Sequence, residues 1–138
     1  MKTLYTARAT SVGGREGHAE TDDKRLVVDF ARPGSDKPGT NPEQLFACGY
    51  AACFGGAMAY LAGQQKIEMG ELTIENEVNL NQDDGGFFIS VQMHIKLPQM
   101  EQKAAEKLVA DAHQFCPYSK ATRGNIAVAF TVNGQKIV

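Results

Sequence analysis

Apolar and polar residues alternate along two consecutive segments in the middle of the chain. The first segment runs from Leu72 to Leu80, and the second runs from Phe87 to Leu97. A period of two residues over this length is typical of β-strands that bury one face and expose the other. Because residues 83–86 between them are two aspartates and two glycines, the pattern predicts a hairpin in an antiparallel sheet.

Shorter strands are predicted near both ends of the chain. Residues 3–12 and 18–22 favour a strand pair, and residues 25–30 favour a third strand. Residues 126–132 and 135–138 are separated by an Asn-Gly dipeptide, which is typical of a tight hairpin turn. The chain is therefore expected to begin with strands and to close with a hairpin.

A long helix is predicted after a loop at residues 32–40, which contains two prolines and two glycines. Asn41 suits the N-cap, Pro42 suits the first turn, and Gln44 occupies the position of a capping-box partner. The helix should extend to about Gln64. Residues 45–62 carry no charge and approach the length of a membrane span. Because they are rich in alanine and glycine and have polar flanks, we expect a helix apolar on all sides and buried in protein.

A second, amphipathic helix is predicted from residue 100 to residue 112, where apolar residues recur at helical spacing. The Cys116-Pro117-Tyr118 sequence is expected to end it. Strands, helix, strands, helix and strands in that order predict an α+β fold. A length of 138 residues suits a single domain over residues 1–138.

Composition narrows the class of function. The formal net charge is -2, which argues against nucleic-acid binding and against a polybasic membrane tether. The first residues lack the apolar core of a signal peptide, so a cytoplasmic location is expected. Three cysteines in such a chain do not make a disulfide framework. They are expected to be buried, metal-binding or reactive.

The three cysteines occupy different sequence contexts. Cys53 lies within the long helix among small residues, which leave space beside the sulfur for a ligand or another chain. Cys116 precedes Pro117, so it is expected at a corner of the backbone. Packing alone remains open for both. Cys48 lies about 7.5 Å along the helix and roughly 140° around it from Cys53, too far for a disulfide. We expect Cys48 to be a buried packing residue.

The histidines and cysteines of the sequence give little indication of a metal site or of a hydrolase site. His113 and Cys116 form the only short-spaced pair of potential zinc ligands, and a backbone bend is expected between them. His113 is a similarly weak candidate for a base acting on a cysteine. His94 is expected in solvent, and His18 has no evident partner. We therefore expect no metal and no cofactor.

Three parts of the chain carry specific motifs. They are VGGREG at residues 12–17, TNPEQLF and GYAACF at residues 40–46 and 49–54, and CPYS and ATRGN at residues 116–119 and 121–125. Together they resemble the arginine turn and the two cysteine motifs of the organic hydroperoxide resistance proteins, one branch of the Ohr/OsmC family. The likeness covers nearly the whole chain. Cys48 and Lys120 depart from it, since alanine and asparagine are expected there.

The resemblance implies an OsmC-like fold with antiparallel sheets around a long buried central helix, in an intertwined homodimer. It implies an antioxidant oxidoreductase, a peroxidase that reduces organic and lipid-derived hydroperoxides in the response to oxidative stress. By the motif match, Cys53 is the peroxidatic cysteine, Cys116 is the resolving cysteine, and Arg15 and Glu43 are the activating pair. The redox-active disulfide is expected to be reduced by a lipoylated protein or another dithiol.

The chemistry explains why these residue types are needed. A thiol attacks a peroxide as the thiolate, and burial in an apolar helix raises its pKa. Arg15 supplies a permanent positive charge, and Glu43 offers two-point pairing to its guanidinium group. Glu43 and Cys53 are separated by about 15 Å of helix. We therefore predict that Arg15 and Glu43 serve the partner subunit's Cys53, or that the helix breaks between Glu43 and Cys53.

The apolar helix residues near Cys53 suit a long alkyl hydroperoxide. The predicted substrate-binding residues are Phe46, Tyr50, Phe54 and Met58. Three other functions remain open: a redox sensor that does not turn over, a lipid-binding module whose cysteines only pack, and a hydrolytic enzyme of the wider family.

Overall fold

The computed structural model describes residues 1–137, so the predicted last strand residue, Val138, lies outside the described residues. The chain forms two compact units, one from Met1 to Leu45 and one that begins at Phe46. The prediction of a single domain over residues 1–138 stays a prediction.

The first unit contains a three-stranded antiparallel sheet of β1 (Ala9–Val12), β2 (His18–Thr21) and β3 (Val27–Asp29), in that order. The predicted pairing of the first two strands is confirmed. The prediction of a strand from residue 3 was wrong, because the pairing of β1 with β2 begins only at Ala9 and residues 1–7 belong to no strand of the described chain. Leu4 and Tyr5 are exposed instead.

The long helix α1 spans Pro42–Gln65 without interruption. The Asn41 side-chain oxygen accepts the backbone N–H of Gln44 at 2.9 Å, which confirms the predicted N-cap. The side chain of Gln44 does not complete a capping box, because its oxygen accepts the Thr40 hydroxyl at 2.7 Å. Because α1 is unbroken, the alternative prediction of a helix break between Glu43 and Cys53 is wrong.

One face of α1 is buried and the opposite face is exposed. The buried residues recur every three or four positions, as one stripe of a helix does; they are Tyr50, Phe54, Ala57, Met58 and Ala62. The exposed stripe comprises Cys48, Ala52, Gly56, Ala59, Tyr60 and Gly63. The prediction of a helix buried on all sides is thus wrong within one chain, because the chain supplies a neighbour for one face. By length and composition α1 could cross a membrane, a test that core helices also pass.

The second unit is built on a four-stranded sheet. Its elements are β4 (Thr73–Asp83), β5 (Gly86–Lys96), α2 (Gln102–Phe115), α3 (Pro117–Thr122), β6 (Val128–Val132) and β7 (Gln135–Ile137), with strand order β4-β5-β6-β7. The β4–β5 and β6–β7 hairpins are antiparallel, as predicted. Strands β5 and β6 are parallel, so the prediction of antiparallel sheets is wrong for this sheet. Helices α2 and α3 form the crossover that returns the chain in the same direction.

The core of this unit joins α1, α2 and the inner face of the sheet. The buried stripe of α2, which includes Leu108 and Val109, packs in the same cluster as Met93 and Ile95 of β5. This arrangement confirms an α+β fold. Helix α3 was not predicted, although Pro117 at its first turn is a common helix-start signal.

Candidate active site

The sulfur atoms of Cys53 and Cys116 lie 3.5 Å apart, and both residues are free thiols. Cys53 lies in the middle of α1. Cys116 is both the C-cap of α2 and the N-cap of α3, so the backbone corner predicted at Pro117 places its side chain toward α1. Two cysteines separated by 63 positions in sequence are thus brought into contact.

The two thiols have different access to solvent. Cys116 is fully buried, whereas Cys53 is half-buried. Burial raises the pKa of the Cys53 thiol above its ordinary value; the backbone amide of Tyr118 opposes this change, and the Cys116 thiol adds to it. None of these influences is a cation. Cys53 therefore needs a positive group to become a thiolate at neutral pH.

Cys48 lies on the exposed stripe of α1. The prediction that it is a buried packing residue was wrong. The helix turns it well away from Cys53, onto the face that the chain itself does not cover. The separation from Cys53 that excludes a disulfide still follows from the intact helix.

Arg15 and Glu43 form a two-point ion pair within the first unit. Arg15 Nη1 donates to Glu43 Oε2 at 2.9 Å, and Nη2 donates to Oε1 at 2.6 Å. The predicted pairing is therefore confirmed. The arginine side chain is 42% exposed and the glutamate side chain is 15% exposed. Arg15 holds the pKa of the Glu43 carboxyl below its usual value, chiefly through these hydrogen bonds.

Glycine shapes the turn that carries Arg15. The residues Gly14–Glu16 form one turn of 3-10 helix between β1 and β2. A Cβ atom at Gly17 would lie 1.8 Å from the carbonyl oxygen of Val12, so this position excludes any other residue. The close approach of Gly17 to the end of β1 makes the arginine turn tight.

The predicted substrate-binding residues differ in burial. Tyr50, Phe54 and Met58 are fully buried members of the core, and Phe46 is half-buried. The Phe46 ring contacts the rings of Tyr50 and Tyr118, with centroids 5.8 and 6.1 Å apart. In this conformation Phe46 is the one of the four that offers surface to a ligand.

The histidines do not form a metal site. No group of three potential metal ligands occurs within residues 1–137. His113 packs its ring edge-on against Phe130, and burial lowers its pKa. His94, which was expected in solvent, is half-buried and contacts Glu77 and Thr131.

His18 has partners that the sequence did not indicate. Its ring contacts Asp29 at 2.8 Å and Glu20 at 3.3 Å. These hydrogen bonds raise its pKa, the one to Asp29 most.

A hydroxyl cluster beside the thiols was not predicted from the sequence. The Tyr50 hydroxyl lies 2.7 Å from Ser119 Oγ and 3.2 Å from Thr122 Oγ1. Ser119 belongs to the CPYS motif, but serine and threonine are ordinary surface residues, and only their place on the unpredicted helix α3 buries them. The Tyr118 amide that contacts Cys53 was missed for the same reason.

The model of the OsmC-like protein family matches residues 34–131 of this chain. The chain belongs to the OsmC-like family. Among curated relatives, the organic hydroperoxide resistance protein of Xanthomonas axonopodis pv. citri is 51% identical over 136 residues, covering 95% of this chain and 96% of that protein. The organic hydroperoxide resistance protein OhrB of Bacillus subtilis is 50% identical, covering 91% and 95%.

Solved structures of OsmC-like proteins agree. A crystal structure of an organic hydroperoxide resistance protein from Legionella pneumophila superposes with a TM-score of 0.90 at 46% identity, covering 95% of this chain and 98% of that chain. These findings confirm the resemblance to the organic hydroperoxide resistance branch. The family match includes Glu43, Cys53 and Cys116, and the whole-length relatives extend the likeness into the N-terminal region.

Proposed function

We propose that this protein is a cytoplasmic thiol peroxidase that reduces organic hydroperoxides, including lipid-derived ones, to alcohols. The observation that carries the proposal is the 3.5 Å contact between a half-buried Cys53 and a fully buried Cys116. A peroxide from solvent reaches the first thiol, while the second is accessible only to its neighbour. The names of its closely similar relatives support the same substrate class.

The reaction follows from the two thiols. The Cys53 thiolate attacks the terminal oxygen of the hydroperoxide, the O–O bond breaks, and the alkoxide takes a proton to leave as the alcohol. Cys53 becomes a sulfenic acid. The Cys116 sulfur then forms a bond to the Cys53 sulfur, and the hydroxyl of the sulfenic acid leaves as water with the Cys116 proton.

Arg15 and Glu43 act as the activating pair. Burial raises the pKa of Cys53, so the reaction needs a cation at the sulfur, and the guanidinium group of Arg15 has that charge. Glu43 accepts one hydrogen bond from each of the two terminal nitrogens of that group and so fixes its orientation. No cofactor or metal takes part in this scheme.

The protein acts as a homodimer in which Arg15 and Glu43 serve the partner subunit's Cys53. Two observations support this arrangement: α1 is unbroken between Glu43 and Cys53, and its small exposed residues, Ala52 and Gly56 among them, suit close packing of another chain. A mixed dimer tests it directly. One chain carries Arg15→Ala and the other carries Cys53→Ser, so one complete site forms only if the residues act across subunits. Activity of the mixed dimer near half of wild type supports the arrangement, and activity no higher than that of either parent contradicts it.

The substrate is an organic hydroperoxide with an apolar chain. The half-buried ring of Phe46, backed by the buried Tyr50, Phe54 and Met58, provides the apolar surface. A long-chain hydroperoxide should therefore react faster with Cys53 than hydrogen peroxide does. Equal rate constants for the two peroxides would contradict this preference.

The disulfide is returned to thiols by an external dithiol, a lipoylated protein or a similar reductant. One thiolate of the dithiol attacks the disulfide, and its second thiolate releases the protein from the mixed disulfide. Because Cys116 is fully buried, attack is expected at the sulfur of Cys53. Dihydrolipoamide and reduced thioredoxin, compared as electron donors under steady-state conditions, test the preference for a lipoyl dithiol.

A single turnover tests the function as a whole. Reduced protein is mixed with one equivalent of cumene hydroperoxide, free thiols are counted, and disulfides are mapped by mass. Loss of two thiols with a link between Cys53 and Cys116, abolished by Cys53→Ser, is the expected result. Intact thiols and unconsumed peroxide would leave a lipid-binding module as the better description. Thiol oxidation without turnover in the presence of dithiols would instead indicate a redox sensor, and hydrolysis without thiol oxidation would indicate a hydrolase.

A further inference from the structure

Two buried hydroxyl groups lie beside the cysteines and have no part in the scheme above. Among residues 1–137 the buried polar side chains are Ser119, which is 0% exposed, and Thr122, which is 5% exposed. Both belong to α3, the helix that begins just after Cys116, and both contact the hydroxyl of Tyr50 on α1. Buried polar groups are costly unless paired, so their concentration at one place calls for an explanation.

The three hydroxyls satisfy one another in a closed chain of hydrogen bonds. Thr122 donates to the backbone oxygen of Ser119 at 3.1 Å. Tyr50 then donates to Thr122 across 3.2 Å, and Ser119 donates to Tyr50 across 2.7 Å. Each hydroxyl group donates once, so all three donors have a protein acceptor.

The cluster and the sulfur pair form two parallel links between the same two elements. Tyr50 and Cys53 are three residues apart on α1, and Cys116 and Ser119 are three residues apart on α3 and its N-cap. Residues at this spacing lie on the same face of a helix. The Tyr50–Ser119 link is therefore one helical turn from the Cys53–Cys116 link, and the spacing is matched on both sides.

We propose that the Tyr50 hydroxyl, through Ser119 and Thr122, positions the resolving cysteine by fixing the first turn of α3 against α1. This inference rests on the proposed peroxidase function and adds Tyr50 and Ser119 to it as positioning residues. Disulfide formation shortens the distance between the sulfur atoms by about 1.5 Å. The hydroxyl link holds α3 so that this small approach is the remaining movement, and Cys116 attacks the sulfenic acid before a second peroxide does.

Peroxide attack and disulfide formation are two steps that an unspecific loss of structure would slow together. Ser119→Ala removes one hydroxyl of the cluster from α3 and leaves the apolar substrate surface unchanged, so the reaction of Cys53 with peroxide should keep its wild-type rate. Disulfide formation should slow by about tenfold, as expected when a reacting group is displaced by a fraction of an ångström. In excess peroxide, more Cys53 sulfinic acid should then accumulate in each turnover.

Rapid quenching followed by mass spectrometry measures all three species, with the sulfenic acid trapped by dimedone. The proteins compared are wild type, Ser119→Ala, Tyr50→Phe and the double variant. Tyr60→Phe is the matched control, because it removes an exposed hydroxyl from the helix that carries Tyr50. Tyr50→Phe, which keeps the buried ring and removes only the hydroxyl, should slow the same step, and the double variant should be no slower than Ser119→Ala alone, since both remove one link. Ser119→Ala remains a sufficient test by itself if Tyr50→Phe does not fold.

Disulfide formation at the wild-type rate in both variants, with unchanged sulfinic acid, would overturn the positioning role. Equal slowing of peroxide attack and disulfide formation in Ser119→Ala would also overturn it, because it would indicate a general packing defect. A wild-type protein that consumes no peroxide would instead refute the proposed function itself, so the two failures are distinguishable.

Discussion

The charged pair Arg15–Glu43 and the sulfur pair Cys53–Cys116 are held in contrasting ways. The charged pair joins a glycine-bounded turn to the start of α1, and its arginine keeps substantial exposure to solvent. The sulfur pair is held by α1 and by the α2–α3 corner, within or against the hydrophobic core. The first pair is fixed by its own two hydrogen bonds, and the second is fixed by the packing around it.

The charged pair has a cation but no nucleophile, and the sulfur pair has the nucleophile but no cation among the groups that shift the pKa of Cys53. Charges are stable near solvent, where water and a partner ion compensate them, whereas a thiol is easily buried. Cys116 is fully buried and so is shielded from solvent. Burial also raises the pKa of Cys53, so a smaller fraction of the reactive thiol is ionised at neutral pH. An enzyme that uses both must supply charge to sulfur. Variants of Cys116, Arg15 and Glu43 test that division of labour, and a variant of His18 tests how the first unit is stabilised.

The largest effect is expected at the resolving cysteine. Cys116→Ser should abolish sustained turnover with a dithiol reductant while leaving the first equivalent of peroxide consumed, because Cys53 alone carries out that step. In excess peroxide Cys53 should proceed to sulfinic acid. Peroxide assays and intact mass follow both outcomes. Unchanged turnover would mean that the dithiol resolves the sulfenic acid directly.

The next effect is expected at Arg15. Arg15→Ala should slow the reaction of Cys53 with peroxide by about a hundredfold, the scale on which a nearby opposite charge alters ionisation. Arg15→Lys should restore part of the rate, because it keeps the charge but loses the planar fork. Arg25→Ala is the matched control, since that exposed arginine pairs with Asp23. Stopped-flow peroxide consumption measures all three, and a wild-type rate in Arg15→Ala would contradict the division of labour.

A smaller effect is expected at Glu43. Glu43→Gln keeps the size of the side chain but removes the charge that pairs with Arg15, so the rate should fall by about tenfold. Arg15 holds the pKa of Glu43 below its usual value, so the pair persists above that range and weakens as pH falls through the lowered pKa. The variant should lack this acid dependence. If Glu43→Gln matches wild type at neutral pH, the carboxylate serves only the start of α1.

The smallest effect is expected at His18 in the first unit. Hydrogen bonds to Asp29 and Glu20 raise its pKa, so charged His18 stabilises the folded state most at pH below about 6.5. That stabilisation should be lost as pH rises through the raised pKa. Tm against pH should therefore fall more steeply for wild type than for His18→Asn, by a few degrees at most because the groups are solvent-screened. Parallel curves would show that the contacts do not stabilise the fold.

Several elements could be predicted because their signals are local. The alternation that predicted β4 and β5 and the cap at Asn41 depend on neighbouring residues only. The parallel pairing of β5 with β6 could not be read from alternation, because pairing direction depends on a crossover. The strand predicted over residues 3–8 was wrong for a related reason. A strand needs a neighbouring strand to pair with, and the pattern of residues does not show whether one is present.

The sequence by itself determined the residue types of the chemistry and their order: an arginine between glycines, a glutamate at a helix start, and two cysteines in separate motifs. The contact between Cys116 and Cys53, which the motif resemblance implied, is made by the tertiary structure. The tertiary structure alone decided that Cys48 is exposed and that two ordinary hydroxyl residues become buried partners of Tyr50. Local signals act over a few residues, whereas burial and contact depend on which distant segments pack together. The reactivity of a buried thiol depends on those distant neighbours, so the chemistry of Cys53 is set by the tertiary structure.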